Sequence, residues 1–261
     1  MRKLFLIPFL ALAFAATPVF AQSAKPAASA AAAANNTTAT APQQEGLEVP
    51  FVHKVLPNGL EVIVLQDPSV PIVTIEMAAR NGSFTEPPEL NGLSHLYEHM
   101  FFKTNGAIVR RESYLRDIGQ LGITYNGTTR EEVVNYYFTT TSPHISTALR
   151  FIKDAVRYPV FDEREFAQEK KVVIGEVDRN EANPGYYLNR ALNDRLFYKY
   201  PTRKNPLGTR ESIETATTEK MRTIQSRYYV PNNMALVVTG DAKPDEVFRL
   251  AEQYFGDWQR R

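Results

Sequence analysis

Cysteine is absent from this sequence of 261 residues, and no charge of one sign predominates. Without cysteine there are no disulfides, thiolate zinc sites, iron–sulfur clusters, cysteine nucleophiles or lipidated cysteine anchors. The 30 lysine and arginine residues nearly balance the 29 aspartate and glutamate residues, which gives a formal net charge of +1. Such a balance offers no electrostatic footprint for nucleic acid or for an anionic membrane surface. We therefore expect neither as a partner.

Three common motifs are also missing. No Gly-x-Gly-x-x-Gly follows a predicted strand and no Gly-x-x-x-x-Gly-Lys occurs, so nucleotide binding lacks its usual sequence support. No Gly-x-Ser-x-Gly is present, which weakens an interpretation as a serine hydrolase.

The N-terminus has the layout of a secretory signal peptide. Two basic residues follow the initial methionine, and residues 4–14 form an almost unbroken apolar run that is too short to span a bilayer. Val19 and Ala21 occupy the −3 and −1 positions of a cleavage site. We predict a signal peptide at residues 1–21 and export to the periplasm of a bacterium, or secretion, with no membrane span left after cleavage.

A compositionally biased segment follows the predicted cleavage site. Residues 22–45 contain ten alanines among 24 residues and no aromatic side chain. Such a segment buries too little apolar surface to offset its ordering entropy, so we predict a disordered linker. The folded domain is then expected at residues 46–261.

Strand-like and helix-like segments alternate along residues 46–261. Residues 49–56 and 60–66 flank a Pro-Asn-Gly turn and predict a β-hairpin. Further β-rich runs lie at 72–79, 123–126, 133–140 and 234–240. A helical stretch follows Asn91-Gly92, and others lie at 110–121, 143–158, 162–181, 184–198, 220–229 and 244–255. About six strands interleaved with long helices predict an α+β domain, a two-layer α/β sandwich with helices covering one face of a sheet.

Two of the four histidines, His95 and His99, lie four residues apart with Glu98 between them. On a helix this pair projects from one side and can bind a single metal ion through imidazole nitrogens. Glu98 can then reach a water molecule on that ion, which is the zincin arrangement in inverted order. The alternative is a surface helix with two solvated histidines and an unrelated glutamate.

A metal held by two imidazoles needs a third protein ligand. Glu169, Val172, Val173 and Glu176 follow the i, i+3, i+4, i+7 spacing of one helix face. A carboxylate on an apolar stripe is costly unless it is paired, protonated or bound to a cation. Each glutamate alone is better explained by an ion pair to lysine or arginine, but beside the histidine motif the pattern favours a metal site.

The motif and its surroundings resemble the pitrilysin/insulinase peptidases. His95-Leu96-Tyr97-Glu98-His99 is similar to the inverted zinc motif of that family, with 76 residues between His99 and Glu176. Further similar segments, covering roughly residues 46–261, are Gly92-Leu93-Ser94, Met100-Phe101-Phe102, Arg227 to Met234, Gly240-Asp241, and the segment from Leu121 to Thr129, which has Gly127 where the family usually has alanine.

The resemblance implies a role for each matching residue. His95, His99 and Glu176 would bind one zinc ion per chain, and Glu98 would be the general base. Glu169 would be the accessory carboxylate of the catalytic site, supporting it without binding the metal. Two imidazoles and a carboxylate would also accept manganese or cobalt.

The resemblance also implies a substrate class and a partner. Asn126 would lie on a strand that pairs with the main chain of extended or unfolded peptides, which a zinc endopeptidase would hydrolyse. Family members usually consist of two homologous halves, and the far half supplies an Arg and a Tyr that cannot be assigned in this sequence. We therefore expect a second homologous half, or a second copy, as partner. The alternative function is a non-catalytic peptide-binding or structural subunit.

Overall fold

The computed structural model describes residues 49–200 and 204–261. The predicted signal peptide at 1–21 and the predicted linker at 22–45 lie outside the described residues. The domain predicted for residues 46–261 is described except at its first three residues and at 201–203.

Six strands form one mixed sheet in the order β1-β2-β6-β3-β5-β4. Neighbouring strands are antiparallel except for the parallel pair β2 and β6. The two edges of the sheet are therefore β1 and β4. The strands are β1 (Val52–Val55), β2 (Glu61–Gln66), β3 (Ile72–Ala79), β4 (Thr124–Thr129), β5 (Val134–Thr141) and β6 (Met234–Gly240).

Eight α-helices accompany the sheet in the described part of the chain. They are α1 (Leu93–Phe101), α2 (Arg111–Gln120), α3 (Ile145–Arg157), α4 (Glu163–Glu181), α5 (Pro184–Leu196), α6 (Arg210–Glu214), α7 (Thr218–Tyr228) and α8 (Pro244–Phe255). Helix α1 lies against β4 and β5, α3 lies against β3 and β5, and α8 lies against β2. None of the helices in this part of the chain combines the length and the hydropathy needed to cross a membrane.

Alternating burial along the central strands separates the two faces of the sheet. Ile75 in β3 lies opposite Phe138 in β5 and Val238 in β6, and all three are buried in the core beneath the helices. The next position in the same register pairs Glu76 with Tyr137, and both are only half-buried. Because side chains alternate between faces with a period of two, one face packs against helices and the other stays open. The predicted α+β sandwich, covered on one face, is confirmed.

The predicted N-terminal hairpin is present and is tied to the last helix. Strands β1 and β2 pair antiparallel, with Val52 opposite Val64. In the turn between them, Asn58 donates hydrogen bonds from Nδ2 to the carbonyl oxygens of Phe255 (2.7 Å) and Trp258 (3.0 Å). The turn therefore joins the hairpin to the end of α8.

Besides shifts of a few residues at the ends of several elements, one strand is longer than predicted and one α-helix was not predicted. Strand β4 runs to Thr129, three residues beyond the predicted 123–126 segment, because pairing with β5 continues through Gly127 despite the low β-propensity of glycine. Helix α6 was not predicted, since five residues are too few for a periodic pattern. It begins at a capping box formed by Thr209 and Ser212.

Candidate metal centre

Helix α1 begins beside a buried carboxylate that fixes its first turn. Gly92, the residue before the helix, has a left-handed φ of +80° and offers no side chain as a cap. Glu86 accepts hydrogen bonds from Gly92 N at Oε2 (2.9 Å) and from Ser94 N at Oε1 (2.6 Å). Burial raises the pKa of Glu86, although these donors act in the opposite direction. N–H groups of the first turn, which have no partner within the helix, are thereby satisfied.

The apolar side of α1 anchors the helix in the core. Tyr97 stacks on Tyr229 with ring centroids 4.1 Å apart, and Phe101 stacks on Tyr136 at 3.7 Å. All four rings are buried. The two histidines and the glutamate of the motif thus project from a helix whose other side is fixed by packing.

Helix α4 supplies the carboxylates predicted to face the histidines. Asp162 caps its N-terminus by accepting hydrogen bonds from the main-chain N–H groups of the first turn. Val173 is fully buried, whereas Val172 is exposed, so only one of the two apolar residues in the predicted stripe faces the core. Glu169 and Glu176 flank Val173 along the helix, and both face α1.

Three donor groups converge between α1 and α4. His95 Nε2 lies 3.6 Å from Glu176 Oε2, and His99 Nε2 lies 3.8 Å from Glu176 Oε1. We call His95, His99 and Glu176 the donor trio; one ligand atom from each lies within 4.8 Å of the others. The histidine side chains are only 13% and 17% exposed, so the alternative of a surface helix with solvated histidines is wrong.

The spacing and chemistry of the donor trio fit a small divalent cation. Two ligand atoms about 2.0–2.1 Å from a tetrahedral zinc ion are roughly 3.4 Å apart, close to the 3.6 Å and 3.8 Å that separate Glu176 from the two histidines. Burial, followed by the charge of His99, lowers the pKa of His95 to about 4. The His95 imidazole is therefore neutral at neutral pH, which is the form that binds metals. These three residues could hold zinc, with a position left open for water or substrate.

Glu169 contacts the back of a histidine and stays outside the donor trio. Its Oε2 lies 3.2 Å from His99 Nδ1, and its Oε1 lies 2.7 Å from Lys103 Nζ. Burial acts to raise the pKa of Glu169, but the hydrogen bonds from His99 and Lys103 outweigh it and lower that pKa. In many metal sites, a carboxylate outside the ligand set orients the ring of a metal-binding histidine by contacting the nitrogen that does not bind the metal.

Glu98 lies against the edge strand β4. Thr129 donates a hydrogen bond from Oγ1 to Glu98 Oε2 across 2.6 Å. At Gly127 a Cβ atom would lie only 2.8 Å from Glu98 Cγ, so the missing side chain leaves room for the glutamate. Burial raises the pKa of Glu98. The charge of Glu176 acts in the same direction, whereas the hydrogen bond from Thr129 and the charge of His99 act to lower the pKa. Glu98 therefore shares the pocket of the donor trio without belonging to it.

The outer edge of β4 turns part of its main chain away from the sheet beside Glu98. Arg130 and Val133, which close the turn between β4 and β5, are a hydrogen-bonded pair, because Arg130 N donates to Val133 O. Hydrogen-bonded and non-hydrogen-bonded pairs alternate along an antiparallel ladder. In the register of β4 and β5, the residues of β4 that bond to β5 are therefore 124, 126 and 128. The main-chain groups of residues 125, 127 and 129 then point away from the sheet. The exposed side chain of Asn126 faces the side opposite to Glu98 and accepts a hydrogen bond from Gly127 N (2.9 Å). The structure thus brings the Asn126 strand to the site, but not the Asn126 side chain.

Three residues that hold the site together were missed in the sequence. Thr129 lies 31 residues from Glu98, and Glu86 precedes α1 outside its periodic pattern, so no local pattern marks either of them. Lys103 follows His99 by four residues, a helical spacing that could have suggested proximity.

Two family models match the chain over most of its described residues. The family model described as insulinase (peptidase family M16) matches residues 61–210, and the model described as peptidase M16 inactive domain matches residues 215–261. The chain belongs to the insulinase family of peptidases, family M16.

Individual relatives are named as proteases but are longer. An uncharacterized zinc protease, YmxG of Bacillus subtilis, is 30% identical over 207 residues, which cover 78% of this chain and 49% of that protein. Human insulin-degrading enzyme is 26% identical over 213 residues, covering 79% of this chain and 21% of the enzyme. The chain thus spans half or less of the length of these relatives.

Solved structures show the same fold. A protease from Helicobacter pylori superposes with a TM-score of 0.72 at 22% identity, covering 81% of this chain and 51% of that one. The first half of the periplasmic protease PqqL from Escherichia coli gives 0.73 at 19% identity, covering 80% and 46%. At these identities the likeness establishes the architecture alone.

Proposed function

We propose that this chain is the zinc-binding half of an exported endopeptidase that hydrolyses extended or unfolded peptides. The observation that carries the proposal is the placement of Glu98 between the donor trio and the open edge of β4. Peptide hydrolysis needs an electrophile, a base and a means of holding a main chain, and these three elements lie side by side.

Each residue has a defined task in this proposal. When bound to the donor trio, zinc supplies Lewis-acid polarisation of the scissile carbonyl and lowers the pKa of water. Glu98 takes up the proton of the attacking water at its carboxylate and later delivers it to the leaving amine. The raised pKa of Glu98 suits a group that must both accept and release a proton near neutral pH. Glu169 holds His99 through Nδ1, so that Nε2 faces the metal.

Substrate binding is assigned to the open edge of β4. A peptide in extended conformation can add to this edge through the main-chain groups of residue 125 and the carbonyl oxygen of Gly127, next to Glu98. Asn126 acts here through its position in the strand and through its contact with Gly127 N. Folded proteins cannot offer a free strand of this kind, so unfolded segments and peptides are favoured.

A second homologous half is the proposed partner. The relatives that match this chain are at least about twice its matched length. Helix α5 also exposes an apolar face, consisting of Leu188, Leu192 and Leu196, and each of these side chains is at least half exposed. Exposed apolar surface of this kind marks interaction sites. We propose that α5 packs against the second half, or against a second copy of the chain.

Export rests on the sequence together with one relative. The predicted signal peptide agrees with the location of the periplasmic protease PqqL of Escherichia coli. We propose the same location for this chain.

A non-catalytic peptide-binding subunit is the second candidate, favoured by the partial coverage of the relatives. The test compares the full-length chain with Glu98→Gln in zinc stoichiometry and in cleavage of a quenched fluorescent peptide. Glu112→Gln, an exposed carboxylate on α2, is the matched control. We expect about one zinc per chain in all three proteins, with cleavage lost only in Glu98→Gln. Undiminished cleavage by Glu98→Gln would contradict the assigned mechanism, whereas zinc binding without cleavage in the wild type would mean that the site is built but incomplete without the second half. The second candidate is favoured if the wild type binds the peptide equally with and without zinc and never cleaves it.

A further inference from the structure

Lys103 forms a buried ion pair directly behind the metal centre. The residue follows the C-terminus of α1, where Lys103 N donates to Met100 O (3.2 Å). Its Nζ lies 2.7 Å from Glu169 Oε1, and the two side chains are only 13% and 12% exposed. A charged pair with so little solvent holds a narrow geometry, because breaking it would leave an uncompensated charge.

The two oxygens of Glu169 serve different partners. Oε1 accepts from Lys103, while Oε2 faces His99 Nδ1 at 3.2 Å. A carboxylate at this position requires the hydrogen of a neutral imidazole to be on Nδ1, which leaves the lone pair on Nε2. That Nε2 atom is the one 3.8 Å from Glu176 Oε1. Lys103, Glu169 and His99 thus form a continuous chain of contacts that ends at the donor trio.

A second contact between the end of α1 and α4 lies next to the ion pair of Lys103 and Glu169. Thr104, the next residue, donates to Glu165 Oε2 from its main-chain N (3.2 Å) and from Oγ1 (2.7 Å). Glu165 lies one helical turn before Glu169 on α4. Two consecutive residues after α1 therefore contact two successive turns of α4, and the donor trio is divided between these same two helices.

Lys103 also contributes to the charge balance of the site. Glu98, Glu169 and Glu176 place three carboxylates around the site. Within residues 49–200 and 204–261, Lys103 is the only lysine or arginine that forms an ion pair with any of them. One lysine and a divalent cation together balance three carboxylates, whereas the cation alone leaves a net negative charge in a poorly solvated pocket.

We propose that Lys103 is a positioning residue for metal binding, acting through Glu169 to hold His99 in the orientation and tautomer that present Nε2 to the ion. This inference rests on the proposed function, because it assumes that the donor trio binds zinc. Lys103 itself touches neither the metal nor the substrate.

The test measures zinc affinity of the full-length chain by competition with a chromogenic chelator. Lys103→Met, which keeps the length of the side chain and removes its charge, is expected to weaken zinc binding by roughly 10- to 100-fold, the usual effect of losing such a supporting contact. Lys103→Arg should bind zinc more tightly than Lys103→Met. Lys170→Met is the matched control, since Lys170 lies one position after Glu169 and bonds only main-chain oxygens of Glu214 and Ala216.

Two further measurements separate positioning from a general structural role. If Lys103 acts through Glu169, the double variant Lys103→Met/Glu169→Gln binds zinc no more weakly than Glu169→Gln alone. In metal-free wild-type protein, nitrogen NMR of the imidazoles should find the His99 hydrogen on Nδ1, a readout that requires no variant to fold. Additive losses in the double variant, or a His99 hydrogen on Nε2, would overturn the proposal.

The outcomes also distinguish this inference from the proposed function. Wild-type affinity in Lys103→Met would refute the role of Lys103 and leave the metal site intact. Failure of the wild-type chain to bind zinc would refute both.

Discussion

Thr129 donates its hydroxyl hydrogen to Glu98 Oε2 across 2.6 Å, and this contact joins helix α1 to the open edge of β4. The glutamate lies flat against the strand because Gly127 has no Cβ atom to displace it. The proposed base is therefore fixed relative to the strand on which the peptide is proposed to bind. Positioning of this kind lowers the entropic cost of reaching the reactive geometry.

Removal of the Thr129 hydroxyl should reduce catalysis without removing the metal. A hydrogen bond to a charged group contributes about 1.5–3 kcal/mol, and roughly 1.4 kcal/mol corresponds to a tenfold change in rate. We expect Thr129→Val to lower kcat for a fluorescent peptide by about tenfold or more, with zinc affinity unchanged. Steady-state kinetics and chelator competition on the same preparation measure both quantities.

The neighbouring threonine provides the control. Thr128 lies on the opposite face of β4, where its exposed side chain cannot reach Glu98, so Thr128→Val should leave kcat unchanged. Loss of zinc affinity in Thr129→Val would show that Thr129 supports α1 as a whole rather than the carboxylate of Glu98.

Gly92 should be intolerant of any side chain. Its φ of +80° is strained for other residues, and a Cβ atom would lie 2.6 Å from Gly208 Cα. We expect Gly92→Ala to destabilise the fold by at least about 2 kcal/mol, and to lower zinc content because α1 begins at this point. Urea denaturation measures the free energy of unfolding.

Gly119 in α2 is the control glycine. Here we expect substitution by alanine to stabilise the fold, whereas the same substitution at Gly92 should destabilise it. An added Cβ meets nothing within 4 Å there, so Gly119→Ala should stabilise the helix by roughly 0.5–1 kcal/mol. Equal stability of the Gly92 and Gly119 variants would show that the close approach of Gly92 to Gly208 relaxes at no cost.

The residues of the donor trio could be predicted because their spacing is a property of single helices. His95, Glu98 and His99 lie within about one turn of α1, where residues three and four apart are neighbours. Glu169 and Glu176 are seven residues apart, so they share one side of α4. Helical geometry therefore indicated two histidines and two carboxylates before any tertiary contact was known, and the choice of Glu176 over Glu169 as the third ligand came from the family resemblance.

The groups that hold these residues in place depend on tertiary contacts and could not be predicted. Thr129 is 31 residues from Glu98 along the chain, and Lys103 pairs with Glu169 only because two helices pack together. The length of β4 depends on its pairing with β5, since Gly127 opposes strand formation on its own. Local pattern thus finds the reactive residues, and packing decides which neighbours orient them.

Acid should destabilise the metal-free protein through His95. Burial keeps its pKa at about 4 in the folded protein against 6.5 ordinarily, so below pH 6.5 the unfolded chain binds a proton that the folded one does not. Stability from this group is complete above pH 6.5 and declines as the pH falls to about 4, below which both forms are protonated. The total loss is roughly 3 kcal/mol.

Urea denaturation of metal-free protein between pH 7 and pH 4 measures this decline. His95→Asn should show a shallower decline than the wild type, whereas His53→Asn, which alters a half-exposed histidine on β1, should match the wild type. An equally steep decline in His95→Asn would assign the acid sensitivity to other groups.

The apolar face of α5 should mediate association rather than stability. Leu188, Leu192 and Leu196 repeat every four residues along one side of the helix, and all are exposed. Because these side chains have little to lose on unfolding, Leu188→Glu/Leu192→Glu should change the free energy of unfolding by no more than about 0.5 kcal/mol. We expect the wild-type chain to self-associate and the same double variant to sediment as a monomer, measured by sedimentation velocity at micromolar concentration.

Charge alone could also disperse the protein, so the control adds the same two charges elsewhere on α5. Asn189→Glu/Asn193→Glu places them at exposed polar positions beside the apolar face. If association depends on apolar contact, this control still associates while the leucine variant sediments as a monomer. Dispersal of both variants would attribute the effect to electrostatic repulsion, and association of both would place the interface on another surface, for which the open face of the sheet is the next candidate.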